Sequence, residues 1–263
     1  MTSDRNALQT FWGIIALLFI ASAVITIVWC TSMSAMEEMP MPGGWGMSMT
    51  WMPMSGQSGF DATASFLVMW DVMMLTMMIP CLVPMLLRYR QAVQRTSAPR
   101  LGWLTALVGL GYFLVWTIIG LIVFPVGVEL NAILMQHKEL SLVVPVATGI
   151  LVLAVGSLQF TNWKLQQLTC CRELPFRGQT APDDACTALK HGLRLGIQCS
   201  RCSAGLMSIL LVMGMMNLFG MAVITVAITF ERLAPARKWV TGTIGAIGIG
   251  AGFFLIAQAA GIF

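Results

Sequence analysis

Histidine is almost absent. Only His137 and His191 occur in 263 residues, so imidazole cannot supply most of the ligands of a metal centre. Charge is also sparse: 10% of residues are Asp, Glu, Lys or Arg, against about 25% in an ordinary soluble domain. With 57% hydrophobic residues, this composition excludes a water-soluble domain and implies an all-α, polytopic membrane helix bundle. The formal charge of +4 is then a property of the connecting loops and gives no reason to expect nucleic acid. No haem-binding C-x-x-C-H, no paired histidines within a span and no zinc-protease signature occurs. The chain is also too short to add a phosphorylation or nucleotide domain to its spans. These absences point away from an enzyme or an ATP-driven pump.

What is plentiful is sulfur, with 21 methionines and 7 cysteines. Thioethers and thiolates are soft donors that select Cu(I) over hard ions, and a thioether needs no deprotonation to bind.

Six apolar stretches approach the roughly 20 residues that a bilayer core requires. They cover about 11–30, 63–87, 101–124, 141–160, 203–229 and 240–261. The organisation expected is a first span (1–30), a Met-rich loop (31–60), a metal-binding membrane domain (61–235) with a Cys-containing loop at 161–202, and a last span (236–263). The first span has the look of a signal peptide as far as Ala23, but apolar residues continue to Cys30, which favours a retained helix. Cytoplasmic loops collect Lys and Arg. Six spans with both termini in the cytoplasm of a bacterial inner membrane place eleven of the fifteen basic residues inside. The segment "ERLAPARKW" fits that arrangement poorly, because it then lies outside.

Three places could hold a soft ion. The outer loop carries Met33, Met36, Met39, Met41, Met47, Met49, Met52 and Met54, with no Lys, Arg, His or Cys among them. It reads either as a Cu(I) capture loop or as an interfacial segment with Trp45 and Trp51 at the membrane surface, and its Pro and Gly argue against regular structure. The second span reads "MWDVMMLTMMIP" (69–80), five methionines in twelve residues. Met73, Met74, Met77, Met78 and Cys81 recur at helical spacing. They would face Met213, Met216 and Asn217 of a fifth span running antiparallel at the same depth. Asp71, in the same stretch, is a costly residue within a bilayer. It is either a cation way-station or a hydrogen-bonded structural carboxyl. The third place is the loop 161–202, where Cys171, Cys199 and Cys202 could take Cu(I) or, alternatively, Zn(II) as thiolates. A reducing cytoplasm disfavours a structural disulfide there.

Several of these stretches, "MWDVMMLTMMIP", "GYFLVW", "NWKLQQLTCCRELP" and "GLRLGIQCSRCSAGLMSILLVMGMMNLFGMAVITVAITFE", resemble a bacterial family of predicted metal-binding integral membrane proteins, domain of unknown function 2182. The resemblance covers about Phe66 to Pro235 and implies a multi-span membrane protein with a metal site and no defined reaction. Two departures thin the cysteine site. Gln167 stands where the pattern has a cysteine between Lys164 and Cys171, and Ser203 and Ala204 follow Cys202 where the pattern has Cys and Trp. Leu195 occupies a position where the family often has histidine.

The expected function is soft-metal handling, most readily Cu(I) trafficking, delivery or transport. The competing reading is a non-catalytic structural or assembly subunit of a larger membrane complex, with a membrane partner or a second copy of the chain. The small-residue run "GTIGAIGIGAG", with Gly248 and Gly252 four apart, is what favours the latter. A thiol-redox role for the C-x-x-C is weaker again.

Overall fold

The computed structural model describes residues 2–34, 39–41, 45–47, 51, 58–93, 100–173, 184–234 and 237–260. Eight helices are formed: α1 Thr2–Ser34, α2 Gly59–Val93, α3 Leu101–Gln136, α4 Lys138–Leu158, α5 Asn162–Glu173, α6 Ala185–Met213, α7 Leu218–Leu233 and α8 Arg237–Ala259. Six of them, all but α5 and α7, are long and apolar enough to cross a membrane. The architecture is thus the all-α bundle that the composition implied. A single two-stranded ribbon, β1 Met39–Met41 and β2 Trp45–Met47, lies among the described residues of the Met-rich loop. Its register pairs Met39 with Met47 and Met41 with Trp45. That segment was expected to be irregular; its described residues pair as an antiparallel ribbon.

Local chemistry sets the helix starts. Ser58 accepts a hydrogen bond from the Asp61 N–H (3.2 Å) and donates to the Asp61 carboxylate (2.7 Å), a reciprocal cap at the start of α2. The larger departure from expectation is in the fifth span. The apolar run 203–229 is not one helix. Gly214 adopts φ 103°, where a side chain would be strained. Asn217 then caps α7, its Oδ1 accepting from the Gly220 N–H at 3.0 Å. α6 and α7 therefore form a hairpin. The loop 161–202 is corrected likewise, since most of it is helical: α5 occupies its start and α6 begins at Ala185. Ala188, Gly192, Leu195, Gly196, Cys199 and Cys202 are buried at three- and four-residue spacing along α6, the periodicity of an inward face.

The helices alternate in direction. Antiparallel α1 and α2 meet where Arg90 stacks over Phe11 (4.6 Å) and where the Thr26 and Thr76 hydroxyls lie 3.4 Å apart. Asp71 and Trp70 of α2 meet Thr117 and Trp116 of antiparallel α3. α3 and α6 run parallel and approach through glycine: a Cβ at Gly111 would fall 2.5 Å from the Leu189 carbonyl oxygen, and one at Gly192 would collide with that of Val108. α4 and α8 are antiparallel, with Gly149 against Gly252 and Gly156 against Gly245 and Gly248. The small residues of α8 are thus used inside the chain, which removes their support for an oligomer.

Because α7 runs back, its end lies beside the start of α5, and α8 begins there. "ERLAPARKW" therefore shares an end of the bundle with the α2–α3 connection and α5, and not with the Met-rich loop as six simple spans required. α8 then runs towards the opposite end, where the α6–α7 turn meets Cys30 near the end of α1.

Candidate metal centre

The methionines of α2 turn inward. Met73, Met74, Met77, Met78 and Cys81 are each no more than 1% exposed, while Met69 and Met85 are half-buried beside them. The same helix contains Pro80 and Pro84. Each removes an N–H from the helix ladder, leaving the carbonyls of Thr76 and Pro80 without their usual donors. The sulfur stripe thus lies on a stretch of helix with interrupted backbone bonding.

One member of α6 reaches this stripe. The Cys199 thiol is fully buried, 3.9 Å from the Met78 sulfur, and accepts a hydrogen bond from the Tyr112 hydroxyl at 2.9 Å. Cys81 lies one helical turn from Met78 on the same face, a Cβ separation of about 5–6 Å, and sits 3.6 Å from the Thr229 hydroxyl of α7. Met78, Cys81 and Cys199 therefore converge from two helices, walled by Tyr112 of α3 and by α7. Arg232, 6% exposed, lies on the α7 side. It is near Cys81, Cys199 and Tyr112, but no guanidinium nitrogen has a hydrogen bond of ordinary geometry.

A second sulfur contact sits near the other end of the bundle. The buried Cys30 thiol lies 3.8 Å from the Met216 sulfur in the α6–α7 turn. Trp51 of the Met-rich loop packs on Phe66, and Phe66 on Trp70 and Phe124. Trp70 donates to the Trp116 carbonyl at 2.9 Å, and only a glycine at position 120 leaves room for its ring.

The remaining expected residues are dispersed. Met213 is 49% exposed, and Asn217 is an exposed helix cap. The hairpin thus takes both away from the α2 cluster, and of that trio Met216 alone meets a sulfur. Asp71 is half-buried and accepts from Thr117 at 3.0 and 3.1 Å, so its carboxylate has a protein partner on α3. Cys199 and Cys202 do not face one another as a pair. Cys199 faces α2 and α3, whereas Cys202 lies 3.4 Å from the Gln167 carbonyl of α5 and is disulfide-bonded, contrary to the expectation of free thiols. The Cys171 side chain lies outside the described residues, as do Met36, Met49, Met52 and Met54. Met33 is half-buried at the end of α1. Among the described residues no three His, Cys, Asp or Glu converge as a metal site, so no zinc-type cluster is present there.

Four participants were missed in the sequence: Cys30, Tyr112, Arg232 and Glu231. Glu231 stands at the end of an apolar run, where a charge is ordinarily solvated. It is 2% exposed and paired with Lys164 at 3.0 Å, with Gln159 donating to it at 2.6 Å. Lys164 also donates to the Cys202 carbonyl at 2.7 Å. The signal for this network was present in the two adjacent charges, Glu231 and Arg232, next to an apolar run that supplies no water.

The donor set is chemically one-sided. Thiol and thioether sulfur in a dry pocket suits a soft monovalent ion and offers little to Mg(II), Ca(II) or Mn(II), which prefer oxygen. A family model described as PpoB2, copper chaperone, matches residues 67–255, a span containing Met78, Cys81, Cys199, Met216 and Arg232 but not the Met-rich loop or Cys30. No curated protein and no solved structure matches the chain.

Proposed function

We propose that this chain, which belongs to the PpoB2 copper chaperone family, carries Cu(I) as cargo on sulfur ligands buried inside a membrane bundle. The observation that carries the reading is the convergence of Met78, Cys81 and Cys199, with Met73, Met74 and Met77 continuing the stripe along α2. Lipid-facing methionines would have served as greasy filler; a buried column of thioethers leading to two thiols forms a graded set of soft sites. Weak thioether ligands at one end and stronger thiols at the other allow an ion to be handed along without being trapped. The role is non-catalytic: copper enters and leaves in the same oxidation state.

The arrangement of charge supports an orientation. Arg88, Arg90, Arg100, Lys190, Arg194 and Arg201 lie towards the end of the bundle that holds Lys164. The reversal of α7 brings Arg232 and Lys238 to that end as well, whereas Lys138 begins α4 at the other. By the preference of basic residues for the cytoplasmic side, that end faces the cytoplasm. The Met-rich loop and the Cys30–Met216 contact then face outward, where they would meet incoming copper. α8 ends on the outer side. A reducing cytoplasm would open the Cys202 disulfide and free a further thiol beside α5.

The quadruple variant M73L/M74L/M77L/M78L tests the stripe. Leucine keeps volume and hydrophobicity, so the bundle should fold, while every thioether is lost. Copper retained per protein in detergent under reducing conditions is expected to fall well below that of the unsubstituted protein. Copper content unchanged by the four substitutions would remove the α2 stripe from the cargo path.

A further inference from the structure

Arg232 stands out among the buried groups because the rest of its surroundings do not account for it. Its three guanidinium nitrogens are buried and make no hydrogen bond of ordinary geometry, and the Cys81 thiol is the side chain they approach. The adjacent carboxylate is already engaged, since Glu231 uses one oxygen for Lys164 and the other for Gln159. Lys164 and Glu231 cancel, which leaves Arg232 as one uncompensated positive charge in a low-dielectric pocket. A guanidinium keeps its proton under all ordinary conditions, so it cannot escape the cost of burial by becoming neutral. An unpaired buried charge is strongly destabilising, unless the pocket acquires a negative charge in another state of the protein. Three groups beside it can do so, two thiols and a phenol: Cys81, Cys199 and Tyr112.

We propose that Arg232 is the built-in countercharge of a two-thiolate Cu(I) centre formed by Cys81 and Cys199, with Met78 as the neighbouring thioether. The inference rests on the copper reading above and adds to it the charge type of the cargo and a residue that sets selectivity. On loading, each thiol gives one proton to solvent, two copper–sulfur bonds form, and copper remains Cu(I). The two thiolates carry −2, the ion +1 and Arg232 +1, so the loaded pocket is neutral. A divalent ion on the same two thiolates would leave a buried net charge of +1. The empty pocket carries the same +1. Only a monovalent ion therefore discharges the site, and a chaperone with this arrangement discriminates against Zn(II) by charge as well as by ligand softness. Tyr112, donating to Cys199 at 2.9 Å, would support the thiolate and fix its direction. Arg232 is in this sense a positioning and charge-setting residue, since it approaches the Cys81 sulfur but does not itself bond copper.

The test uses the full chain in detergent, with Cu(I) and Zn(II) affinities measured separately by competition with chromogenic chelators. R232M, with R232Q as a second neutral variant should the first prove polydisperse, is expected to bind Cu(I) about 10–100-fold more weakly, the range for loss of a group that supports a metal ligand. It is also expected to bind Zn(II) more tightly than the unsubstituted protein, because two thiolates without a countercharge favour a divalent ion. R232K keeps the charge and should retain the preference for Cu(I). A merely structural arginine would not invert the metal preference, and lysine would not restore it. Unchanged Cu(I) affinity in R232M and R232Q, or equal loss in R232K and R232M with no gain for Zn(II), would overturn the countercharge role while leaving the copper reading intact. An unsubstituted protein that binds no Cu(I) would overturn both.

Discussion

The double substitution C81S/C199S is expected to lower Cu(I) affinity by more than about 100-fold, beyond the range seen when only a supporting group is lost. The two thiols are the strongest donors in the pocket, and their hydroxyl replacements are hard, weak ligands for a soft ion. Serine is close to cysteine in shape, so Tyr112 and Thr229 keep partners and packing changes little. Met78 alone cannot hold the ion, because a single thioether supplies neither charge nor a closed shell. Each single variant is expected to lose much of the affinity, and the exposed Cys186 provides a control: Cys186→Ser should bind copper as the unsubstituted protein does. The same chelator competition reads all four proteins. A double variant that holds copper as tightly as the control would place the cargo elsewhere in the chain.

The second large effect concerns stability. Lys164 is 6% exposed and bridges three elements, since its ammonium on α5 meets Glu231 of α7 and the Cys202 carbonyl of α6. Lys164→Met would leave the Glu231 carboxylate buried with its ion pair lost and Gln159 as the remaining hydrogen-bond donor. Breaking a buried pair from one side typically costs about 3–5 kcal/mol, whereas replacing both partners by apolar groups is often neutral. Lys164→Met is therefore expected to shift SDS-induced unfolding, followed by tryptophan fluorescence, strongly towards lower detergent fraction. The pair K164M/E231L should recover most of the loss. Equal destabilisation by the single and double variants would mean that Lys164 acts through the Cys202 carbonyl and not through Glu231. The pair also holds the end of α7 in place one residue from Arg232, so Lys164→Met should weaken copper binding as well.

The parts of this account that could be read from the sequence share one property: they repeat. The Met stripe of α2 announces itself because five sulfurs recur at three and four residues, and the apolar runs announce their helices by length. The hairpin of α6 and α7 does not repeat. Hydropathy remains high across 203–229, and the break depends on two residues, Gly214 with its positive φ and Asn217 as a cap. "GMMN" contains the stop and start signals of two helices, but inside an apolar run the same glycine also reads as a packing residue. Missing that turn had a physical consequence. It placed Met213 and Asn217 opposite the α2 stripe, and it left "ERLAPARKW" on the side where basic residues do not belong. Cys199 and Cys202 were legible as soft donors, but not the separation of their partners, because which neighbour each cysteine meets depends on how α6 packs against α3 through Gly111 and Gly192. Arg232 and Glu231 were hidden for a related reason. A charge at the end of an apolar run is usually solvated, and only the return of α7 into the bundle buries them.

The central claim is that the cargo is Cu(I) held by sulfur inside the bundle, and X-ray absorption at the copper edge of the purified, reduced, copper-loaded protein tests it most directly. The account predicts a Cu(I) edge and a shell of two or three sulfurs with no nitrogen or oxygen scatterer, lost in the C81S/C199S protein. A shell dominated by nitrogen and oxygen, or a sulfur shell that persists when both cysteines are replaced, would contradict it.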